Sequence, residues 1–408
     1  MFVRLMVVVA ALILAACAAL PPVAVPGPEQ RPIVLLVSID GFRSDYLDRG
    51  LTPVLSRLAA EGVSGPMEPS FPSKTYPNHY TLVTGLRPDH HGIVNNTMQD
   101  PTRPGVTFRL ADRATVGDRR WWDEGQPIWV TAEKAGLPTA TLFWPGSEAA
   151  IHGVRPRDWL PFDQEMDGDA RVDRLLAWLD RPAGDRPGFG TLYFDIVDTA
   201  GHRFGPDSVE VNAAVAGVDA AMGRLLAGLR ARGLADRVVI VVVADHGMAA
   251  VSPERVVRLG PVTASAAARV LYSGAILGVD PQPGHEAEVR AELLVPHDHM
   301  QCWERGRLPA RLAFGSHRRV PAIFCLAETG WEILAPGTEA WSGGDHGYDN
   351  AAPEMQALFL AHGPGVVAGR RIATLRNVDV HALLGRLLGL DLPADDGDDR
   401  LARAVLVR

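Results

Sequence analysis

Val238 to Ala244 reads VVIVVVA, an apolar run without a polar break. It is too short to cross a bilayer as a helix. It is also too uniformly apolar for a strand with one face in water, and it suits a strand buried on both faces of a parallel sheet. Ile33 to Ser38 (IVLLVS) is a second run of this kind. Thr139–Phe143, Thr191–Val197 and Ala357–Ala361 are three more strand-like segments. Helical stretches separate them. Thr52-Pro53 has the form of a cap followed by proline at the first helical position, ahead of Val54, Leu55 and Leu58, with Gly62 as the stop. Val172, Leu175, Leu176 and Leu179 mark a helix over Arg171–Asp180. Val211, Val215, Val218, Met222, Leu225 and Leu229 repeat at threes and fours over Ser208–Leu229, and His381–Leu388 begins a last helix. Alternation of this sort predicts an α/β fold: a largely parallel central sheet with helices on both faces.

Two stretches interrupt the rhythm. Gln99–Gly125 is polar and turn-rich, and the segment from about 251 to 344 carries short mixed elements and many prolines. The second reads as an inserted subdomain or cap within one large domain covering 33–408. Hydrophobic residues make up 47% and charged residues 22%, which suits a globular chain rather than a disordered one. The net charge of -8 argues against a duplex nucleic acid as partner.

At the amino terminus, Arg4 precedes an apolar stretch from Leu5 to Ala16. This has the shape of a secretory signal. Leu14-Ala15-Ala16-Cys17 resembles a bacterial lipobox, so residues 1–17 are expected to be a signal with Cys17 as the lipid-bearing residue. Residues 18–32 would then be a proline-rich spacer. The expected location is the bacterial periplasm or outer membrane, with the membrane as a partner through the lipid anchor. Such a compartment permits a disulfide between Cys302 and Cys325, with two buried thiols as the alternative.

Polar residues gather where the strands end. Asp40 follows the first strand, Asp198 and His202 follow the strand placed at 191–197, and Asp245-His246 follows the VVIVVVA run. His346 stands in Gly344-Asp345-His346-Gly347-Tyr348. Carboxyl ends of parallel strands are where α/β folds bind ligands. Taken singly, each is as easily a turn or cap residue. Three carboxylates converging on one crevice would repel one another without a cation, and the mixture of nitrogen and oxygen donors suits Zn²⁺ best. Ser73 and Thr75 are both hydroxyls able to serve as a nucleophile or as a helix cap, and the pattern does not choose between them. Pro77 is expected to hold Tyr76 out of a helix.

Six segments taken together carry a resemblance. LLVSIDGFR (from Leu35), FPSKTYPNHYTLVTGLRPDHHGIVNNTM (71–98), FWPGS (143–147), LYFDIVDTAGH (192–202), VVVADHGM (241–248) and GGDHGYDN (343–350) resemble the nucleotide pyrophosphatase/phosphodiesterase family of the alkaline phosphatase superfamily, in the same order and over nearly the whole chain. The resemblance implies two Zn²⁺ ions, one held by Asp198, His202 and His346 and the other by Asp40, Asp245 and His246. Thr75 would be the nucleophile, also bound to metal. Asn96 would face a non-bridging phosphoryl oxygen together with the Thr75 N–H. Tyr76 stands where the leaving nucleoside stacks in the family, and Trp159 would be the other wall of that slot. Lys74 and His79 are left as surrounding residues, and Val197 replaces the proline usual before the aspartate.

The implied function is metal-dependent hydrolysis of nucleotide phosphodiester or pyrophosphate bonds to a nucleoside 5′-monophosphate, through a phosphothreonine. Small-molecule phosphodiesters or nucleotides would be the substrates. A choline- or lysophospholipid-type phosphodiesterase of the same family is the first alternative. A non-catalytic surface binding lipoprotein is the second, and the intact ligand set and nucleophile count against it.

Overall fold

Every side chain of the run Ile33–Ile39 is buried, as a strand flanked on both edges and covered on both faces requires. The computed structural model describes residues 32–407. Along them the elements that build the central sheet and its cover are β1 (Ile33–Ile39), α1 (Pro53–Glu61), β2 (Val63–Glu68), α2 (Thr75–Thr84), β3 (Thr139–Leu142), β4 (Asp158–Leu160), α3 (Gly168–Leu179), β5 (Phe189–Phe194), α4 (Ile196–Phe204), α5 (Val209–Ala231) and β6 (Val238–Val243). A later excursion holds β7 (Ala268–Tyr272), β8 (Ile276–Pro281), β9 (Met300–Glu304) and β10 (Ile323–Ala327). The chain then returns through β11 (Ala357–His362), β12 (Arg370–Arg371), β13 (Leu375–Arg376) and α6 (Asp379–Leu388). The expectations for residues 1–31, Cys17 among them, lie outside the described residues.

The sheet runs β12-β2-β11-β6-β1-β5-β3-β4, with β13 also paired to β2. The two most apolar runs are neighbours at its centre: β1 pairs in parallel with β6 on one side and β5 on the other. The α/β architecture is as expected, with one refinement. β11 runs antiparallel to both β6 and β2, so the sheet is mixed. Side-chain patterning is blind to strand direction, because a buried strand looks the same either way.

Helices cover the sheet by the stripes their spacing foretells. α3 buries Val172, Leu175, Leu176 and Leu179. α5 buries Val211, Val215, Val218, Met222, Leu225 and Leu229, and at its start the Ser208 hydroxyl accepts the Val211 N–H at 3.2 Å. α1 begins at Pro53, but Thr52 makes no side-chain cap. Its free N–H groups go instead to a carboxylate from another helix: Asp219 on α5 accepts from Val54 (3.1 Å) and Leu55 (2.8 Å). Replacing Asp219 with Ala uncaps α1 and unties it from α5. A stability loss of about 1–2 kcal/mol is expected, read as a shift in the denaturation midpoint; an unchanged midpoint would contradict the capping role.

Two local expectations are corrected. The strand placed at 191–197 ends at Phe194, and Ile196–Phe204 is helical. Ile196-Val197 resumes the apolar pattern after Asp195, but Val197 is buried while Ile196 is half exposed, the asymmetry of a helix face. Tyr76 is not kept out of a helix by Pro77, since α2 starts at Thr75. Pro77 sits in the first turn, where its missing N–H has no partner to lose. The Tyr76 N–H is taken by the Asn96 side-chain oxygen at 2.9 Å, which fixes that turn.

The stretch after Val251 forms a four-stranded antiparallel sheet, β7-β8-β10-β9, above its own apolar cluster that includes Leu277, Val289, Leu293, Ile323 and Ile333. Cys302 and Cys325 lie directly opposite one another on β9 and β10 and are joined in a disulfide.

Candidate active site

The carboxyl edges of β1, β5 and β6 present the residues singled out by the sequence. Asp40 follows β1, and Asp245 and His246 follow β6. Asp198 and His202 are four apart on α4, hence on one face of that helix, with His202 Nε2 3.5 Å from Asp198 Oδ2. His346 follows the short strand Gly343–Asp345. The six side chains form two groups, Asp198–His202–His346 and Asp40–Asp245–His246, in each of which the ligand atoms lie within 4.8 Å of one another. The groups adjoin: the rings of His246 and His346 stack with centroids 3.5 Å apart.

Hydrogen bonds around the two groups orient their side chains. His202 Nδ1 donates to the Gly344 carbonyl (2.9 Å), His346 Nδ1 to the Ser73 carbonyl (2.7 Å) and His246 Nδ1 to the Gly247 carbonyl (2.9 Å). Each imidazole is thereby held with the Nε2 lone pair facing its cluster, the tautomer a metal ligand needs. The carboxylates follow suit. Asp40 Oδ2 accepts from the Tyr193 hydroxyl (2.6 Å) and Asp245 Oδ1 from the Gly41 N–H (3.2 Å). Asp40 Oδ1, Asp198 Oδ1 and Asp245 Oδ2 are buried without a hydrogen-bond partner. Buried carboxylate oxygens are costly to leave unpaired. Burial pushes the Asp40 carboxyl well above its usual range, and the nearby Asp245 and Asp198 carboxylates push it further. Three oriented lone pairs and three orphaned oxygens fit divalent cations, one per cluster.

Thr75 is the first residue of α2, and its Oγ1 lies 3.3 Å from His246 Nε2. Ser73, left open beside it by the sequence, is fully buried and its hydroxyl donates to the Tyr348 carbonyl. Asn96 spends its oxygen on the Tyr76 N–H, so its amide hydrogens remain for a ligand. A cavity of about 560 Å³ opens in front of these groups. Asp40, Thr75, Tyr76, Asn96, Asp198, His202 and His346 all line it, and Asp245 and His246 stand behind Thr75.

Trp159 does not line this cavity. It sits on β4, the edge strand, with the Arg155 guanidinium 5.0 Å over its ring. The wall assigned to it is made by Phe143 and Phe162, whose rings meet edge to face at 5.5 Å. Phe143 opens the segment FWPGS, and its positive φ of 65° at the end of β3 accompanies its place in the cavity lining. Phe162 had no signal in the sequence. Two supporting residues were also missed. Tyr193 reaches Asp40 from inside β5, and Ser38 holds His79 Nε2 at 2.8 Å while His79 Nδ1 donates to the Thr75 carbonyl at 2.9 Å. Ser38 is the one polar residue within IVLLVSI. That break in an apolar strand was the available clue.

A mixed α/β sheet carrying two Asp/His groups fit for cations at its strand ends, with a threonine beside one of them, defines a metal-dependent phosphodiesterase or nucleotide pyrophosphatase. The model of the type I phosphodiesterase/nucleotide pyrophosphatase family matches residues 34–349, and the chain belongs to that family. An uncharacterized pyrophosphatase/phosphodiesterase of fission yeast is 36% identical, over 92% of this chain and 80% of its own. Human ectonucleotide pyrophosphatase/phosphodiesterase family member 1 is 34% identical over 91% of this chain, which spans 41% of that longer protein. The solved structure of murine family member 5 superposes with a TM-score of 0.87 at 33% identity, covering 91% of this chain and all of that one. An inactive Thr-to-Ala variant of the murine protein has also been solved in complex with AMP.

These comparisons correct the expected location. The relatives they return come from fission yeast, snakes and mammals, which overturns the reading of a bacterial periplasmic or outer-membrane lipoprotein. Among the described residues no helix is long and apolar enough to cross a membrane.

Proposed function

We propose that the protein hydrolyses nucleotide phosphodiester or pyrophosphate bonds, releasing a nucleoside 5′-monophosphate, and that Thr75 carries the phosphoryl group in between. The observation that carries this reading is the placement of Thr75 Oγ1 at a helix start, 3.3 Å from His246 and in one cavity with Asp40, Asp198, His202 and His346. We assign Zn²⁺ to both sites. Asp40, Asp245 and His246 would hold one ion and Asp198, His202 and His346 the other; the donor set, half nitrogen and half oxygen, favours zinc over harder cations. When bound, the ions supply Lewis-acid charge for the attacking and leaving oxygens. Their four positive charges against three carboxylates leave room for an anionic diester.

The chain's own groups do the rest. The Thr75 oxygen forms a bond to phosphorus as the bond to the leaving oxygen breaks. Water then cleaves the phosphothreonine: its oxygen bonds to phosphorus and completes the monophosphate as the Thr75 oxygen leaves and takes up a proton, and the proton Thr75 gave up in the first step balances the one taken by the first leaving oxygen. The free amide N–H of Asn96 and the backbone N–H of Thr75, at the start of α2, face the phosphoryl oxygens, where charge grows in the transition state. Tyr76, buttressed by Phe108 and Trp122 at 5.8 and 5.9 Å, offers a fixed aromatic surface beside Thr75 for a base. The murine relative's AMP complex, obtained with an inactive Thr-to-Ala variant, supports both the threonine and the nucleotide.

A second reading, a choline- or lysophospholipid-type diester, draws on one feature. A larger, mainly apolar trough of about 790 Å³ between α4 and α5 borders the cavity and shares Gln164, Asp195 and Thr199 with it. Rates on a nucleotide diester, a choline diester and a simple phosphate monoester separate the readings. The nucleotide diester is expected to be fastest, with a nucleoside 5′-monophosphate as product; turnover of the choline diester alone would replace this reading with the second. Tyr76→Ala is expected to lower kcat/KM about tenfold on a nucleotide diester, from lost stacking worth about 1–3 kcal/mol per base, with a much smaller loss on a small alkyl aryl diester. Equal losses on both would remove the base from this position.

A further inference from the structure

Behind His346, on the side away from the cavity, lies a buried pair of acids that the reaction does not use. Asp345 precedes His346 and organises its surroundings. Its Oδ1 accepts the His346 backbone N–H at 2.7 Å and the Lys74 ammonium at 3.3 Å, and stands 4.0 Å from His202 Nδ1. Its Oδ2 accepts the Ala275 N–H at 3.3 Å. Glu332 comes from the far side, on a three-residue strand (Glu332–Leu334) in the stretch after Val251, and is 2% exposed. Glu332 Oε1 accepts the Tyr348 hydroxyl at 2.7 Å, while Oε2 is buried with no conventional partner.

The two acids converge. A Cβ placed on Gly274, whose φ of 124° favours glycine, would lie 3.2 Å from both Glu332 Oε2 and Asp345 Oδ2. Two ionised carboxylates could not share that space in the interior without a steep penalty. A protonated Glu332 removes it, donating to Asp345 Oδ2 while still accepting from Tyr348. Burial and the Asp345 carboxylate push the Glu332 carboxyl in that direction, up to about 8. Lys74 pairs with the remaining charge on Asp345.

We propose that Glu332 is a positioning residue for the Asp198–His202–His346 cation site, acting through Asp345 to fix the backbone of His346. This rests on the metal assignment above and extends it: an element outside the main sheet would hold one of the two sites in shape and leave the other alone. None of the groups fixing Asp40, Asp245 or His246 belongs to this chain of contacts. The Tyr193 hydroxyl, the Gly41 N–H and the Gly247 carbonyl hold those three instead.

The test is a Zn²⁺ titration of the metal-free protein followed by calorimetry, comparing the unaltered chain with Glu332→Met and Glu332→Gln. Methionine keeps the length and loses the donor; glutamine can both donate to Asp345 and accept from Tyr348. The unaltered chain is expected to bind two ions. Glu332→Met is expected to weaken one of them about tenfold or more, the usual effect of removing a partner behind a ligand, with the other unchanged and kcat on a diester falling by more than KM changes. Glu332→Gln is expected to stay within about threefold at both sites. The proposal is overturned by a methionine variant that keeps both affinities within twofold, by equal weakening of both sites, or by glutamine as damaging as methionine. Should the methionine variant not fold, Glu332→Asp, too short to span Tyr348 and Asp345 together, carries the same expectations. A chain that binds two ions but turns over no diester would refute the proposed hydrolysis and leave this result readable.

Discussion

Thr75→Ala is expected to reduce diester hydrolysis by on the order of 10³-fold or more, about 4 kcal/mol of barrier, with little change in fold or metal content. The size of the loss follows from covalent catalysis, since without the hydroxyl no phosphothreonine forms and water must attack directly. The mildness elsewhere follows from the packing. Thr75 is only partly buried, and its hydroxyl makes a single contact, with His246 Nε2 at 3.3 Å. The helix start stays held by Asn96 on the Tyr76 N–H and by His79 on the Thr75 carbonyl, both of which survive the substitution. Steady-state rates beside a melting curve and metal analysis check this. A variant within tenfold of the unaltered rate would remove Thr75 from the chemistry. Ser73→Ala serves as the contrast, because that hydroxyl is buried against the Tyr348 carbonyl and cannot reach a substrate in the cavity.

Removal of the metals is the second large effect. A strong chelator is expected to abolish hydrolysis, and added Zn²⁺ to restore it. The melting temperature should fall with chelation as well. An ion present at a hundred times its dissociation constant stabilises the native state by about 2.7 kcal/mol per site. Its loss also returns Asp40 and Asp245 to mutual repulsion within a buried cluster, with Asp40 Oδ1 and Asp245 Oδ2 lacking a hydrogen-bond partner. An Asp40→Asn substitution separates the two consequences: Asp40 is the carboxylate whose charge the metal-free cluster resists, so the chelated variant should melt above the chelated parent while having weaker affinity for one ion. Full activity in the presence of chelator, with metal absent by analysis, would contradict the assignment of both clusters.

Much of this arrangement was legible before any coordinates. The runs Ile33–Ile39 and Val238–Val243 declare a doubly covered sheet because nothing else hides so many consecutive β-branched and aliphatic side chains. The stripe on α5 is equally plain. What stayed hidden has physical reasons. Strand direction leaves no mark on a strand buried on both faces, so antiparallel β11 could not be seen. The boundary between β5 and α4 falls at Asp195, with apolar residues on both sides of it, so too few residues separate the two periods. Yet that boundary matters: it puts Asp198 and His202 on one helix face rather than on a loop.

The site shows the same division. The six Asp and His residues that cluster in two groups, and Thr75 beside them, are picked out of the sequence only because a family resemblance supplies the pairing that local spacing does not contain. Trp159 failed because aromatic identity says nothing about which wall a side chain faces, and β4 places it at the sheet edge. Phe162 and Glu332 come from segments with no regular pattern, and their places depend on how distant chain folds against the site. Tyr193 and Ser38 were hidden differently. Each is a polar residue inside an apolar strand, and such residues report a buried partner without naming it.

The most direct measurement is the anomalous X-ray scattering of zinc in crystals of the metal-loaded protein. Two peaks are expected, one within about 2 Å of ligand atoms of Asp40, Asp245 and His246, the other equally close to Asp198, His202 and His346, with the Thr75 hydroxyl between them. A single peak, or a pair seated away from either group of side chains, would contradict the two-cation site on which the proposed hydrolysis stands.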